Sequence, residues 1–134
     1  MTTKEWLNRA RRLDHEIDAL ISAKDLAWEK IISITSNPDA IVVSRSKNPH
    51  KFDRYVELQE KINDRIDELC AIKAEILRTI NRVDDTVLRT LLIERYINCK
   101  TWERIAVDMG YSFGAIVQYK HPQALNAVRE FIII

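Results

Sequence analysis

Apolar residues recur at alternating steps of four and three over the first quarter of the chain, the pattern of a heptad seam on a long helix. The pattern runs from Lys4 to about Ile34, and Lys24 is its only polar member. A helix of this length needs a partner, so the seam predicts a second helix packed along it. The seam residues are Trp6, Ala10, Leu13, Ile17, Leu20, Lys24, Ala27 and Ile31.

A second seam of the same kind, from Phe52 to about Val83, supplies that partner. If the chain folds back antiparallel, the two seams meet in a single register that pairs Trp6 with Ile80 and Ala27 with Leu58. We therefore predict a coiled-coil-like helical hairpin over residues 1–83, with its loop near residues 36–50. The second seam consists of Tyr55, Leu58, Ile62, Ile66, Leu69, Ile72 or Lys73, Ile76 and Ile80.

The segment between the seams contains two Asn-Pro dipeptides, which favour turns or extended backbone. Its apolar run Ile41–Val43 can pack locally or form an edge strand. The basic residues here have two interpretations, a solvated loop or a loop that contacts phosphate groups. They are Arg45, Lys47, His50, Lys51 and Arg54, offset by Asp53.

Each long helix also has a second apolar stripe, which a single hairpin would leave exposed. Either the C-terminal domain or a second copy of the chain has to cover these side chains. We predict a homodimer, because one hairpin cannot bury both stripes. The stripes are Ile21, Trp28 and Ile32 on the first helix, and Cys70, Ala74 and Leu77 on the second.

The stretch Thr101–Leu125 has the spacing of a helix-turn-helix, a small residue followed by a glycine and then a branched apolar residue. Gly110 can adopt the left-handed conformation that ends the first helix. Thr101 and Ser112 stand where N-caps are expected. The inward residues are predicted to be Ile105, Ala106 and Met109 on the first helix, and Ile116 and Tyr119 on the second.

Helices are also predicted on both sides of this motif. Asp84 and Asp85 suit a helix N-terminus through capping and the helix macrodipole. A last helix is expected from Gln123 to near the end, which makes residues 84–134 a domain of three to four helices in an all-α protein. The expected inward residues are Val87, Leu88, Leu91, Leu92 and Tyr96 in the earlier helix, and Leu125, Val128, Phe131 and Ile132 in the last one.

Composition agrees with a helical protein, because 46% of the residues are hydrophobic and only two are glycine and three proline. Neither a signal peptide nor an apolar run of membrane length is present. Cys70 and Cys99 form no metal or redox motif, which is consistent with a reducing cytosol. We therefore predict a cytoplasmic location.

We do not expect the protein to be an enzyme, or to bind a metal or a cofactor. The three histidines lie in three different segments, with His15 on an exposed helix face. No cysteine and histidine have the spacing of zinc ligands, and there is no glycine-rich phosphate loop. Trp102 is interpreted as a wedge between helices rather than a base-stacking residue, and Cys99 as an inert loop thiol.

The run from Val83 to Ser112 resembles region 4 of sigma-70-type factors, in which a similar helix precedes the helix-turn-helix. The whole chain resembles a family of small phage- and prophage-encoded proteins with such a C-terminus, grouped with phage late-gene transcriptional regulators of the RinA and ArpU kind. The resemblance implies DNA binding through the second helix of the motif and a role in transcription. It is carried by Trp6-Leu7, Asn48–Lys51, Ile80–Val83, Arg95–Glu103 and Tyr111-Ser112.

The surface that would meet DNA is poor in hydrogen-bond donors. Gln118 can pair with adenine, Ser112 with a base or phosphate, and Lys120 with a phosphate. Pro122 is expected to kink or stop the helix near His121. The outward positions of the second helix are predicted to be Ser112, Phe113, Gly114, Val117, Gln118 and His121.

Two functions therefore remain open. Residues 84–134 contain six basic and six acidic side chains, so this domain alone should bind non-specific DNA weakly. The first function is a DNA-binding transcriptional regulator. The second is a protein-interaction module that keeps the sigma-like fold and binds RNA polymerase or another regulator through Phe113 and Val117.

Overall fold

The computed structural model describes residues 1–36 and 51–132, and in these ranges all the regular secondary structure is helical. The all-α class is thus confirmed for the described residues. None of the described helices combines the length and the apolar content needed to cross a membrane. The α-helices are α1 (Thr3–Ser36), α2 (Lys51–Ile80), α3 (Thr86–Leu92), α4 (Trp102–Met109) and α5 (His121–Arg129), and the π-helical segments are Ile93–Ile97 and Ala115–Lys120.

The loop predicted near residues 36–50 falls almost entirely in residues 37–50, outside the described part of the chain. The expectations for the apolar run 41–43 and for Arg45, Lys47 and His50 therefore lie outside it as well. Lys51 and Arg54 are described, and both are exposed in the first turn of α2. The choice between a solvated loop and a phosphate-contacting loop stays open.

The two long helices pack together, and all the predicted seam residues of α1 are buried or half-buried, including Lys24. On α2 the agreement is less complete, because Ile62 and Leu69 are buried but Leu58 is exposed. The residue-by-residue register of the hairpin stays a prediction. Ile21 and Trp28 are exposed, as predicted for the second stripe of α1.

The chain divides into two compact units, and the division falls within both long helices. The first unit consists of Met1–Asp14 and Ala71–Ile134, and the second of His15–Cys70. In the second unit, apolar residues of α1 and α2 are buried. An ion pair of 3.1 Å also joins the Arg65 guanidinium to the Glu16 carboxylate across the two helices.

The first unit has one hydrophobic core, to which α1, α2 and all the C-terminal helices contribute. Leu7 of α1, for example, is fully buried in the same cluster as Leu92 and Ile105. The core therefore joins residues on both sides of the predicted domain boundary between residues 83 and 84. Its buried members are Trp6, Leu7, Ala10, Ile76, Ile80, Val83, Leu91, Leu92, Tyr96, Ile105, Ala106, Ile116, Ala124 and Val128.

Helix α3 begins at the acidic pair predicted from the sequence. The Asp85 carboxylate accepts hydrogen bonds from the backbone N–H groups of Val87 and Leu88, at 2.9 and 3.1 Å. These bonds satisfy two of the donors that a helix N-terminus leaves unpaired. The capping role of Asp85 is thus confirmed.

The two glycines of the chain provide a matched pair of stability variants. Gly110 has a φ of 75°, whereas Gly114 is helical with a φ of −62°, and a Cβ added at either would meet nothing within 4 Å beyond the adjoining backbone. Gly110→Ala should destabilise the protein by about 1 kcal/mol, because an L side chain is strained in the left-handed region. Gly114→Ala should instead stabilise it by about 0.5–1 kcal/mol, through helix propensity. Chemical denaturation measures both, and equal effects would contradict the left-handed turn.

Candidate nucleic-acid interface

Helix α4 is the first helix of the motif predicted from the sequence, and its local features agree with that prediction. The Thr101 hydroxyl accepts a hydrogen bond of 3.2 Å from the backbone N–H of Arg104, which confirms Thr101 as the N-cap. Ile105 and Ala106 are buried, and Met109 is half-buried. The predicted apolar stripe of this helix is therefore confirmed.

The turn after α4 is formed by Gly110 in the left-handed conformation. The N–H of Tyr111 donates to the carbonyl of Ala106 at 3.0 Å, and the N–H of Gly110 donates to that of Val107 at 3.3 Å. This pair of bonds is the Schellman arrangement that ends a helix. The Ser112 hydroxyl then accepts a bond of 3.1 Å from the N–H of Ala115, so Ser112 caps the next helical stretch as predicted.

The second helical stretch is continuous from residue 113 to 129, so the prediction that the last helix begins separately at Gln123 is wrong. Of the two outcomes expected at Pro122, a kink or a stop near His121, the stop does not occur. A π-helical segment, Ala115–Lys120, leads directly into α5, which has the proline in its first turn. A wider π turn is typical of places where the regular helical hydrogen bonds are interrupted. Pro122 interrupts them, because proline has no backbone N–H.

The π-helical segment also changes which side chains face inward. Ile116 is buried as predicted, but Tyr119 is 65% exposed, and its predicted inward position is wrong. His121, predicted to face outward, is 7% exposed. The cause is the longer repeat, because the N–H of His121 bonds to the carbonyl of Ile116 five residues earlier, which puts His121 on the inward side.

His121 belongs to a buried polar and aromatic network rather than to the reading surface. Its Nε2 is hydrogen-bonded to the Tyr96 hydroxyl at 2.7 Å, and its ring centroid lies 4.5 Å from that of Trp102. The Arg95 guanidinium lies over the Trp102 ring, 4.4 Å from its centroid. Trp102 is thus packed between neighbours, which agrees with its predicted role as a wedge.

Burial shifts the ionisation of both hydrogen-bonded partners toward the neutral form. It lowers the pKa of His121 to about 4, with smaller contributions from the positive charges of Lys4 and Arg95. Burial likewise raises the pKa of Tyr96 to about 12. Both side chains are therefore neutral at physiological pH, and His121 supplies no positive charge for DNA.

The residues that remain on the predicted reading surface are few. Ser112, Phe113 and Gln118 are exposed as predicted, whereas Val117 packs against the core. Lys120 is half-buried, and its Nζ lies 5.5 Å from the centroid of the Tyr111 ring. Gly114 is half-buried at the start of this segment. Among the predicted positions the polar groups are thus one amide, one hydroxyl and one ammonium group, and the exposed Tyr111 and Tyr119 add phenol hydroxyls beside them.

Most of the basic side chains around α4 are already engaged. Lys100 forms ion pairs with Glu94 and Asp108, and Arg104 forms one of 3.1 Å with Asp108. The hydrogen bond from Lys100 is the main cause that lowers the pKa of Asp108. These cations contribute little net charge toward an external phosphate.

Large apolar side chains are exposed along the same stretch. We call Val107, Tyr111, Phe113 and Tyr119 the apolar surface; their exposed fractions run from 36% for Tyr111 to 75% for Val107. Sequence reasoning named only Phe113 of this set. Val107 was detectable, because it lies off the stripe of α4, but Tyr119 was not, because its exposure depends on the π-helical register.

Cys99 lies in the loop before α4, with a positive φ of 58°. Its thiol contacts an oxygen of the Asp14 carboxylate at 3.1 Å, and burial followed by that carboxylate raises the pKa of the thiol. A raised pKa reduces the thiolate population, which agrees with the predicted inert thiol. The described residues contain no group of three possible metal ligands.

No protein-family model, curated protein or solved structure matches this chain. The function is therefore argued from the geometry of this stretch and from the chemistry of its exposed side chains.

Proposed function

We propose that this chain is a DNA-binding transcriptional regulator of the phage or prophage type, with α4 and residues 113–120 as its helix-turn-helix. The observation that carries the proposal is the arrangement of capped α4, left-handed Gly110 and a second helical stretch capped by Ser112. In a helix-turn-helix, the start of the second helix contacts base edges in the major groove. The exposure of Ser112 and Gln118 supports this role.

Each polar group of this surface has a distinct task in the proposal. The Gln118 amide can donate to and accept from adenine in the major groove. The Ser112 hydroxyl oxygen already accepts a bond from the N–H of Ala115, which leaves its hydrogen available for a phosphate or base acceptor. Lys120 follows Gln118 by two residues, and an ammonium group at this position suits the DNA backbone.

Gln118→Ala and Lys120→Ala should affect DNA binding in different ways. Loss of Gln118 should cost about 1–3 kcal/mol on a specific site and relax the preference at one base pair. Loss of Lys120 should weaken binding to all sequences alike and reduce the salt slope by roughly one unit. Gel shifts on selected and random duplexes, repeated across salt, measure both effects. The proposal fails if neither variant changes any DNA binding of the full chain.

The apolar surface favours a second candidate function, a protein-interaction module. Large exposed apolar side chains are typical of protein-binding surfaces. On this alternative the partner is RNA polymerase or another regulator. Phe113→Ala should then weaken the complex with purified RNA polymerase in a pull-down, with a loss of about 2 kcal/mol or more of binding free energy. On this alternative neither the wild type nor the variant binds DNA.

The homodimer expected from the sequence is also a proposal. The exposure of Ile21 and Trp28 on α1 supports it, because apolar side chains on one helix stripe are typical of helix–helix contacts. Two copies would present two reading segments, so that each half-site could be weak.

A further inference from the structure

We propose that the first unit binds a free α-amino acid with an apolar side chain, in a cavity lined by α1, α2 and the segment after α5. Arg9 holds the carboxylate of this ligand, and Glu75 holds its ammonium group. The inference goes beyond the proposed function and does not depend on it, because the binding can be measured without DNA.

The size of the cavity sets the size of the ligand. Its volume is about 180 Å³, and all its lining residues belong to the first unit. Pockets for cofactors and drug-sized molecules are larger, roughly 300–1,000 Å³. The volume corresponds to about six water molecules at roughly 30 Å³ each, which suits an amino acid with a short side chain. The lining residues are Trp6 and Arg9 of α1, Glu75 and Thr79 of α2, and Phe131.

Arg9 provides the donor side of the cavity. Its Nε is buried, yet no described residue accepts a hydrogen bond from it. The carboxylate one helical turn earlier, on Glu5, is engaged with the backbone N–H of Thr2 at 3.0 Å. A buried donor without an acceptor is unfavourable, and a guanidinium can bind a carboxylate through two parallel hydrogen bonds. The carboxylate of a ligand in the cavity therefore supplies the acceptor that Arg9 lacks.

Glu75 and Thr79 provide the acceptor side, one turn apart on α2. The Thr79 hydroxyl donates to the backbone carbonyl of Glu75 at 3.1 Å, so the lone pairs of its oxygen are available to accept. Arg78, three residues after Glu75 on the same helix, forms no ion pair with it. A carboxylate and a hydroxyl oxygen thus face the cavity, and an ammonium group has three N–H bonds to donate to them.

The two sides have opposite charges and line one cavity, but they do not bind each other. No ion pair between described residues includes Arg9 or Glu75. Opposite charges held apart across a small cavity suit a ligand that carries a carboxylate and an ammonium group close together, as an α-amino acid does. The other large wall residues, Trp6 and Phe131, are aromatic, which favours an apolar side chain on the ligand.

Two cation–π contacts favour an amino acid over a simple amine. The Arg9 Cζ lies 5.2 Å from the centroid of the Trp6 ring, and the Arg82 Cζ lies 4.6 Å from that of Phe131. Each aromatic wall residue thus has a guanidinium over its ring, whereas Glu75 is the only carboxylate among the lining residues. The excess of positive charge attracts the carboxylate of the ligand, which an amine lacks.

The test titrates the full chain with L-valine and, in parallel, with L-leucine, and follows the backbone amide signals by NMR. Saturable shifts are expected at the residues that line the cavity. Two matched ligands remove one charge each, since N-acetyl-L-valine has no ammonium group and L-valinamide has no carboxylate. Each should bind more weakly than L-valine by about a factor of ten or more, because each loses a charge-assisted hydrogen bond.

Variants locate the site on the protein. Arg9→Gln and Glu75→Gln should each weaken the binding of L-valine by about a factor of ten or more. The matched control is Arg12→Gln, which removes an exposed cation one turn further along α1 that does not line the cavity, and it should leave the affinity unchanged. Circular dichroism checks that each variant is folded. If Arg9→Gln does not fold, Glu75→Gln at its exposed position decides the result.

Three results would overturn the inference. The first is that neither L-valine nor L-leucine causes saturable shifts in the wild type. The second is that L-valinamide and N-acetyl-L-valine bind as tightly as L-valine. The third is that Arg12→Gln weakens binding as much as Glu75→Gln does. All three concern the cavity alone, so the proposed DNA binding is decided separately by its own gel shifts.

Discussion

Leu7→Ala is expected to lower the free energy of unfolding by about 2–5 kcal/mol, one of the largest effects of any single truncation in this chain. Leu7 is fully buried in the cluster that also contains Leu92, Ile105 and Val128. Removing its side chain leaves a cavity in this core, and surrounding atoms fill such cavities only in part. Urea denaturation followed by circular dichroism measures the change.

Leu26→Ala is the matched control, because it makes the same chemical change on the same helix. Leu26 is 62% exposed, so its truncation should cost less than about 1 kcal/mol. Similar losses for the two variants would contradict the shared core of α1 and the C-terminal helices. A large loss for Leu7 alone would show that residues 84–134 depend on the start of the chain.

Acidification is expected to remove about 3 kcal/mol of stability through His121 alone, between its unfolded pKa of 6.5 and its folded pKa of about 4. Because burial disfavours the imidazolium form, the unfolded state binds a proton in this range and the folded state does not. The contribution of His121 is therefore present above pH 6.5 and is lost as the pH falls toward 4.

The free energy of unfolding should be measured across this pH range for the wild type, His121→Gln and His15→Gln. Carboxylates also titrate here, so the informative quantity is the difference between variants. His121→Gln should lose less stability on acidification than the wild type, whereas His15→Gln, changed at an exposed site, should follow the wild type. Identical pH profiles for all three proteins would contradict a buried neutral His121. An NMR titration of the wild-type imidazole tests the same point without a variant.

The long helices and the helix ends could be predicted from the sequence because each depends on local rules. The seam of α1 follows the helical repeat, and its predicted members are all buried or half-buried. Asp85, Thr101 and Ser112 were recognisable as caps, because a short polar side chain before an apolar helix satisfies the first N–H groups. Gly110 was recognisable as the left-handed residue that ends α4.

The inward residues of the second helical stretch could not be predicted from an α-helical repeat. In an α-helix, with its repeat of three to four residues, Tyr119 would be the next inward residue after Ile116. In the π-helical segment the next buried residue is His121 instead. Pro122 was noted as a disturbance of the helix, and it does mark the site. The stop that was one of its two expected effects does not occur, because a proline can be accommodated by a wider turn before it as well as by a helix end.

The contribution of α1 to the core of the first unit was also missed. Leu7 is outside the predicted seam, but it directly follows Trp6, so the apolar face is wider at this end of the helix than at its centre. A wider apolar face indicates more than one packing partner. The seam alone accounted for one neighbour, α2, and the C-terminal domain was predicted only as one of two possible covers for the second stripe.

The π-helical segment Ala115–Lys120 has a consequence for how this surface changes over generations. A π turn accommodates one residue more than an α turn, so the loss of a single codon within the segment can restore an α-helix without breaking it. Because the wider turn already accommodates that residue, the helix on each side would keep its orientation, whereas the same deletion in a regular α-helix would rotate one side by about 100° relative to the other. A one-residue deletion here would therefore redistribute only the side chains of the segment itself, which include Gln118 and Tyr119, and would leave the flanking core residues in place.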